Sequence, residues 1–244
     1  LPSFGGYDGK RAFVFVETLM GNSGGKDGCD GQEGVPHMGA NQSNVPIEFI
    51  EKDNPLRIEQ YGFVPDTGGA GRFRGGLSIV RAYRALADDI QLSVRSDKRD
   101  HPPHGLMGGR PGAPSSNVLN PDTDNRVLPV LLTRPEILKR GDVFRHVMAG
   151  AGGYGNPLER EPDRVLEDVL NGKVSLEGAE RDYGVAIEGT ATIACEREDA
   201  LAGTLSAAAL RRARRMLTQP GLSVGPEAGI AVQCGAHAMH DPTE

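Results

Sequence analysis

The sequence predicts an α+β protein in which a β-rich, mostly antiparallel region precedes C-terminal helices. Apolar stretches of strand length dominate the first 150 residues. Glycine- and proline-rich segments separate them, which favours antiparallel strands with irregular connections over βαβ units. From residue 162 onward the apolar residues recur at helical spacing instead. Strands followed by helices are typical of the α+β class.

Seven segments predict strands. The clearest is residues 90–94, where Ile90, Leu92 and Val94 alternate with polar residues as in a half-buried strand. Residues 139–142, with the sequence Lys-Arg-Gly-Asp, predict a tight turn. The other predicted strands span residues 12–16, 45–50, 56–64, 77–83, 127–132 and 143–148.

Three helices are predicted after these strands. The first begins at Pro162, because proline is tolerated in a first helical turn, and ends at Gly172. The second follows the N-cap candidate Ser175, runs through Tyr183 and ends at Gly184. The third covers about residues 198–218.

Length and composition fit a folded, loop-rich chain. The 34 glycines and 17 prolines among 244 residues make up about a fifth of the sequence, against a usual eighth or so. We divide the chain into a β-rich glycine-loop region at residues 1–160, a helical segment of the same domain at 161–193, and a partly helical tail at 194–244. The first residue is Leu, which indicates a processed subunit, a split subunit or a fragment.

Charge and cysteine usage narrow the functional class. The net charge of −6 argues against nucleic-acid binding, which depends on Lys and Arg neutralising phosphates. No apolar stretch approaches the roughly 18 to 20 residues that span a bilayer. The three cysteines, Cys29, Cys195 and Cys234, have no CxxC spacing, which fits a reducing cytoplasm better than a disulfide framework.

A glycine-arginine run at residues 65–76 is the most unusual local feature. It contains five glycines together with Arg72 and Arg74. Glycine allows backbone conformations and close approaches that other residues do not, so the run predicts a loop of defined path. The two guanidinium groups suit a phosphate or carboxylate, and they are candidate substrate-binding groups. An equally good interpretation is that they tie the loop to a neighbouring element.

A second glycine-rich segment, residues 24–34, contains three carboxylates, including Asp27 and Asp30. Close carboxylates are most easily held together by a bound positive charge, so this segment is a candidate cation or substrate loop. The alternative is that the carboxylates cap successive turns. This segment does not have the complete calcium-loop pattern. A different segment, residues 148–157, is glycine-rich like a phosphate loop but lacks the Lys-Ser/Thr pair of that motif.

Polar residues that follow this segment are candidates for substrate contact. His37 could act as an acid or base, and Asn41 and Asn44 could position a polar substrate. The alternative is that the three side chains bind backbone groups of their own loop.

Seven motifs in the same order resemble the hydantoinase B/oxoprolinase family, in the C-terminal part of its longer B-type subunit. They cover about residues 4–188, and their order makes the resemblance specific. The motifs lie at residues 26–31, 37–48, 65–76, 105–112, 139–142, 152–169 and 182–185.

The resemblance implies an ATP-dependent enzyme of several subunits. A hydantoinase A-type partner would bind ATP with Mg and phosphorylate the substrate, and the B-type part would support hydrolysis of a cyclic amide. The family's metal-binding motifs lie in an N-terminal portion with no counterpart here, so a divalent metal is expected in that portion or in the partner. From this chain we expect Asp27, Asp30 and His37 as catalytic candidates near a small-molecule substrate.

Two alternatives stay open. The same activation chemistry serves ketone carboxylases of the acetone and acetophenone type, and the motifs do not separate the two reactions. The chain could instead be a non-catalytic scaffold whose glycine loops form subunit interfaces. All three hypotheses place it in a hetero-oligomer that includes the remaining N-terminal B-type portion.

Overall fold

A computed structural model describes residues 1–35 and 42–185. These residues form nine β-strands, three α-helices and a short 3-10 helix at Pro157–Glu159. The chain divides into two compact units, Leu1–Glu159 and Arg160–Glu244. The strands in chain order are β1 (Pro2–Tyr7), β2 (Ala12–Val16), β3 (Leu56–Val64), β4 (Ser78–Ala85), β5 (Ile90–Val94), β6 (Ser116–Leu119), β7 (Arg126–Val127), β8 (Glu136–Leu138) and β9 (Val143–Val147).

The strands make two sheets, in the orders β2-β1-β5-β8 and β3-β4-β9-β6-β7. Every neighbouring pair within them is antiparallel, which confirms the predicted sheet type. The alternating strand at residues 90–94 is β5, and its three apolar residues are 0 to 2% exposed. Strand β4, an inner strand of the second sheet, is almost entirely buried. Its sequence does not alternate, and the buried Arg81 lies among its apolar residues.

One hydrophobic core joins the inner faces of the two sheets. Its centre is aromatic: the Phe4 ring on β1 lies 4.9 Å from Tyr83 on β4 and 6.3 Å from Phe144 on β9. Rings at such separations pack edge to face or offset, and each pair adds about 0.5–1.5 kcal/mol beyond the area it buries. The core also includes Phe13, Phe15, Ile50, Leu56, Ala85, Ile90, Leu92, Val94, Leu119, Leu128 and Leu138.

The prediction of a strand at residues 45–50 is wrong. The segment Ile47–Asp53 is helix α1, which starts after Pro46, a residue with φ −56° and ψ 141°. Proline at a helix start loses no intrahelical hydrogen bond. The Glu48 carboxylate in the first turn interacts favourably with the positive end of the helix dipole. Ile50 is the residue of α1 that is buried in the core. The apolar run at residues 45–50 therefore reflects one buried side chain of a helix and not a strand.

The predicted strand at residues 127–132 is mostly absent. Only Arg126–Val127 pairs as β7, and Pro129 then supplies no backbone donor to continue a ladder. The chain next reaches the first sheet, where the Leu132 amide donates to the Val94 carbonyl at 3.1 Å. The sequence prediction also missed β1, β6 and β8, of which β6 and β8 are only three or four residues long.

The turn at residues 139–142 is confirmed. Gly141 has φ 96°, and the Asp142 amide donates to the Lys139 carbonyl at 3.0 Å. A left-handed φ of this kind favours glycine. The turn connects β8 of the first sheet to β9 of the second.

In the second unit, helices α2 (Pro162–Leu170) and α3 (Leu176–Tyr183) confirm two predicted helices. The Ser175 hydroxyl accepts a hydrogen bond from the Gly178 amide, and Gly184 ends α3 with φ 68°. The buried Arg160 pairs with Asp168 at 2.7 Å and lies over the Tyr183 ring. The third predicted helix, at residues 198–218, lies outside the described residues. Among those described, no helix is long and apolar enough to cross a membrane.

Candidate functional site

Four glycine-rich loops of the first unit contact one another through their backbones. We call this the glycine core; it comprises residues 24–31, 67–76, 105–112 and 150–155. The Gly69 amide donates to Ala151, the Leu106 amide to Gly153 and the Gly31 amide to Arg74, at 2.7–2.9 Å. The glycine-arginine run is therefore an inner loop of this core.

Close backbone packing explains the excess of glycine. A Cβ atom placed on Gly75 would lie 2.0 Å from the Ala151 carbonyl oxygen, and one on Gly150 would lie 1.8 Å from that of Thr67. Neither gap can hold a methyl group, and backbone cannot move aside as a flexible side chain can. The loops can pack this closely only because these positions lack side chains.

Arg74 ties the glycine-arginine run to the acidic segment. Its guanidinium is buried and pairs with the Glu33 carboxylate at 2.8 Å, while Nη1 also donates to the Gly75 carbonyl at 2.6 Å. The Arg74 amide donates to Asp30 Oδ1 at 2.8 Å. Two acidic residues of the segment thus bind Arg74, an arrangement that matches the interpretation of the run as a loop tied to a neighbouring element.

The other candidate residues in these two loops are exposed to solvent. Asp27 is exposed at the tip of a tight turn in which Lys26 and Cys29 exchange backbone hydrogen bonds of 3.0 and 3.1 Å. Arg72 is exposed too, and its guanidinium carbon lies 5.7 Å from the centre of the Phe73 ring. Asp30 and Arg74 are thus joined by a hydrogen bond, whereas Asp27 and Arg72 are exposed to solvent.

Asn44 belongs to a different network. Its Oδ1 accepts from the Met20 amide at 2.5 Å, and its Nδ2 donates to the Tyr61 hydroxyl at 2.9 Å. Tyr61 in turn covers the Arg81 guanidinium, whose carbon is 3.8 Å from the ring centre. Asn44 thus anchors the loop at residues 42–46 to the second sheet. His37 and Asn41 lie outside the described residues.

A buried ion pair holds the same loop. Glu17 and Arg81, both at most 1% exposed, pair directly. Glu17 also accepts from the Tyr83 hydroxyl at 2.5 Å and from the Val45 amide at 3.1 Å, while Arg81 donates to the Val45 carbonyl at 3.1 Å. Burial first, and then the Glu17 charge, raise the pKa of Tyr83 well above its usual value.

The first unit contains a cavity of about 800 Å³. Its apolar side includes Leu19, Met20 and Met148, and its polar side includes Arg95 and Lys98. Such a volume and mixture are typical of small-molecule sites. The other lining residues in the described part of the chain are Leu1, Thr18, Gly21, Asn22, Val35, Gln42, Ser96, Asp97, Pro103, Ser115, His146 and Ala149.

His146 is the buried titratable group on the wall of this cavity. It lies on β9 between Arg81 on β4 and Asn117 on β6. Its Nδ1 is 2.7 Å from the Asn117 Oδ1, and Asn117 uses its amide nitrogen on Ser96 and Pro129. The amide oxygen can only accept, so Nδ1 carries the proton. Burial first, and then the positive N-terminal amine, lower the pKa of His146 to about 4.

This pKa predicts acid sensitivity. The folded state keeps His146 neutral, whereas the unfolded chain protonates near pH 6.5, so the stability present at pH 7 falls as the pH drops from about 6.5 to about 4. The contribution to the loss between pH 7 and pH 5 is about 2 kcal/mol. Urea unfolding at both pH values should show His146→Asn, which keeps a donor near the Nδ1 position, losing less stability on acidification than the wild type. Equal losses would contradict the assignment.

Several residues of this region escaped the sequence analysis, among them Glu17, Arg81 and His146. A usable signal was present for Arg81, which is a charge inside the apolar run at residues 77–83. The cavity residues carry no motif, because they come from chain segments that only the fold brings together. Within residues 1–35 and 42–185, no group of three or more His, Cys, Asp or Glu side chains is arranged to hold a metal ion.

Comparison with known proteins adds the family. The family model described as hydantoinase B/oxoprolinase matches residues 2–157. These residues include both sheets, the glycine core and the lining of the cavity except Leu1. This chain belongs to the hydantoinase B/oxoprolinase family. The resemblance predicted from the seven motifs is therefore confirmed.

Individual relatives agree with this membership. The chain is 34% identical over 200 residues to the putative B subunit of a D-/L-hydantoinase of Pseudomonas sp. (strain NS671), a match that covers 82% of this chain and 34% of the relative. It is 33% identical over 150 residues to the beta subunit of the caprolactamase of Pseudomonas jessenii, covering 59% and 25%. The chain thus spans about a third or less of these relatives.

Solved structures share the fold. The ATP-dependent caprolactamase of Pseudomonas jessenii superposes with a TM-score of 0.66 at 24% identity, over 88% of this chain and 37% of that one. A nucleotide-free acetone carboxylase superposes with a TM-score of 0.65 at 19% identity, over 100% and 43%. At these identities the likeness concerns the fold alone.

Proposed function

We propose that this chain is part of the B-type subunit of an ATP-dependent cyclic-amide hydrolase. The observation that carries the proposal is the 34% identity over 200 residues to the putative B subunit of a D-/L-hydantoinase. The beta subunit of a caprolactamase and 5-oxoprolinases are further relatives. The names of these relatives share one substrate type, a small ring closed by an amide bond.

Hydrolysis of a cyclic amide in this way requires a partner subunit that phosphorylates the substrate. A lactam or imide carbonyl is a poor electrophile, and phosphorylating its oxygen creates a good leaving group before water attacks. In our proposal a hydantoinase A-type partner forms a hetero-oligomer with this chain, binds ATP with Mg and catalyses this phosphoryl transfer. A divalent metal, held by the partner or by the N-terminal B-type portion, would stabilise the developing charge.

This chain's own contribution is a cavity in which a small ring can be bound and oriented. Leu19, Met20 and Met148 can pack against the methylene groups of a ring, and the polar wall can hydrogen-bond its amide. Nδ1 of His146 is occupied by Asn117, and the lowered pKa keeps the ring neutral at pH 7. His146 therefore shapes the wall without adding charge. Asp27, Asp30 and His37 stay proposals for the catalytic groups.

The test is an assay of the assembled complex. We expect ATP-dependent ring opening of hydantoin, 5-oxoproline or caprolactam by the chain together with its A-type partner and the rest of the B-type subunit, and none when ATP is omitted. His37→Ala and Arg72→Ala are then expected to lower turnover in an intact complex. A complex that falls apart in both variants would favour a scaffold.

A ketone carboxylase is the second candidate, because a nucleotide-free acetone carboxylase superposes on this chain with a TM-score of 0.65. Bicarbonate-dependent loss of acetone or acetophenone in the same complex, without ring opening of any cyclic amide, would select this candidate and reject the hydrolase.

A further inference from the structure

We propose that the cavity binds a substrate bearing a carboxylate, and that Arg95 and Lys98 are the residues that select it. The inference rests on the proposed function, since it names the substrate class of that hydrolase. Among residues 1–35 and 42–185, three charged side chains line the cavity, Arg95, Lys98 and Asp97. Two are cationic, and His146 on the same wall is kept neutral by burial. The described side chains of the wall therefore carry a net positive charge.

The backbone that presents Arg95 is fixed. Arg95 directly follows β5 and forms an isolated bridge with Leu131. The next amide, that of Ser96, donates to the Val130 carbonyl at 2.7 Å. These contacts hold the base of a long side chain against the first sheet, so its guanidinium can reach into the cavity from a rigid point. Within residues 1–35 and 42–185 its guanidinium forms no ion pair.

Lys98 is held in an unusual conformation. Its φ is 65°, in the left-handed region that non-glycine residues rarely occupy. The Asp97 carboxylate accepts from the Lys98 amide at 2.6 Å, and the Ser115 hydroxyl donates to the Asp97 carbonyl. Asp97 thus stabilises the turn through its carboxylate. Strained backbone that the surroundings hold in place is often found where a side chain must be aimed at a ligand.

The two cations and the apolar wall complement one kind of molecule. A guanidinium offers a planar pair of donors that matches a carboxylate, and a lysine adds a compact charge beside it. Leu19 and Met20 are 5 and 6% exposed and form an apolar surface for ring methylenes. A lactam ring with a carboxylate matches both sides of the cavity, whereas a neutral lactam offers the two cations no opposite charge.

The matched substrates are 5-oxoproline and 2-pyrrolidinone, which is the same ring without the carboxylate. In the assembled complex with ATP, we expect the kcat/KM for 5-oxoproline to be at least about tenfold higher than that for 2-pyrrolidinone. Arg95→Gln should raise KM for 5-oxoproline about 10- to 100-fold and change that for 2-pyrrolidinone by less than about twofold. Lys98→Gln should act in the same direction.

Arg99→Gln is the control, because Arg99 is the neighbouring arginine, pairs with Asp100 at 3.0 Å and does not line the cavity. It should leave both substrates unchanged. Equal losses for both substrates in Arg95→Gln would assign the cations to a phosphate group and overturn the inference. Ring opening of neutral lactams in preference to 5-oxoproline would overturn it while leaving the proposed function intact. Absence of ATP-dependent ring opening for every cyclic amide would instead reject the proposed function.

Discussion

Gly152→Ala should prevent the first unit from folding stably. A Cβ atom on Gly152 would lie 1.8 Å from the His104 carbonyl oxygen, 2.5 Å from the His104 carbonyl carbon and 3.0 Å from the Gly105 nitrogen. All three atoms are backbone, so relief requires two loops of the glycine core to separate. That movement would also strain the hydrogen bond from the Gly25 amide to the Gly152 carbonyl, which measures 2.9 Å. We expect a loss of at least about 3 kcal/mol in the free energy of unfolding.

The matched control is Gly62→Ala on β3. No atom lies within 4 Å of a Cβ placed there, and alanine costs less backbone entropy in a strand than glycine does. Stability should change by less than about 1 kcal/mol. Urea unfolding of the two variants, with soluble yield as a second readout, makes the comparison. Similar unfolding free energies in both would show that the glycine core tolerates side chains, contrary to the packing described.

Arg81→Met should cost about 3–5 kcal/mol of stability, because it leaves the Glu17 carboxylate buried without its cation. Glu17 is 1% exposed and cannot recover hydration without opening the fold. The substitution also removes a donor from the Val45 carbonyl and a cation from the face of the Tyr61 ring. The effect is therefore expected to reach beyond the pair to the loop that carries Asn44.

Two comparisons isolate the buried charge as the cause. The double variant Glu17→Gln with Arg81→Met should regain a large part of the loss, since no uncompensated charge then remains. Arg84→Met on the same strand removes a half-exposed pair with Glu59 at 2.6 Å, and it should cost at most about 1 kcal/mol. Chemical unfolding of the three variants decides the matter. A loss in Arg81→Met no larger than that in Arg84→Met would refute the buried-charge account.

How much of the fold the sequence predicted depends on how local each signal is. Alternation in Ile90, Leu92 and Val94 located β5, and Ser175 with Gly184 located α3, because these patterns require only neighbouring residues. Residues 45–50 were assigned wrongly, since a short apolar run suits a strand as well as a single buried turn of helix. Pro129 was a local signal for a break, since proline supplies no backbone donor. Only the structure shows that the chain there leaves β6 of the second sheet for β5 of the first.

The candidate site shows the same division. The sequence identified Arg74 as a residue of interest, but only the structure shows that its partner is Glu33, 41 positions earlier in the chain. The cavity could not be predicted at all. Its lining comes from at least four separated segments, and no spacing rule relates Thr18, Arg95, Ser115 and His146.

By itself the sequence determined the family, the strand-then-helix order and the presence of glycine loops of defined path. These properties depend on residue identity and on local backbone preference, which are read directly from the chain. The tertiary structure alone decided what the glycine-arginine run at residues 65–76 does. Its glycines make room for the carbonyls of residues 151 and 152, and the buried Arg74 pairs with the Glu33 carboxylate, whose side chain is 13% exposed. Which loops meet, and which charges are buried together, follows from close packing between segments that are distant in the sequence.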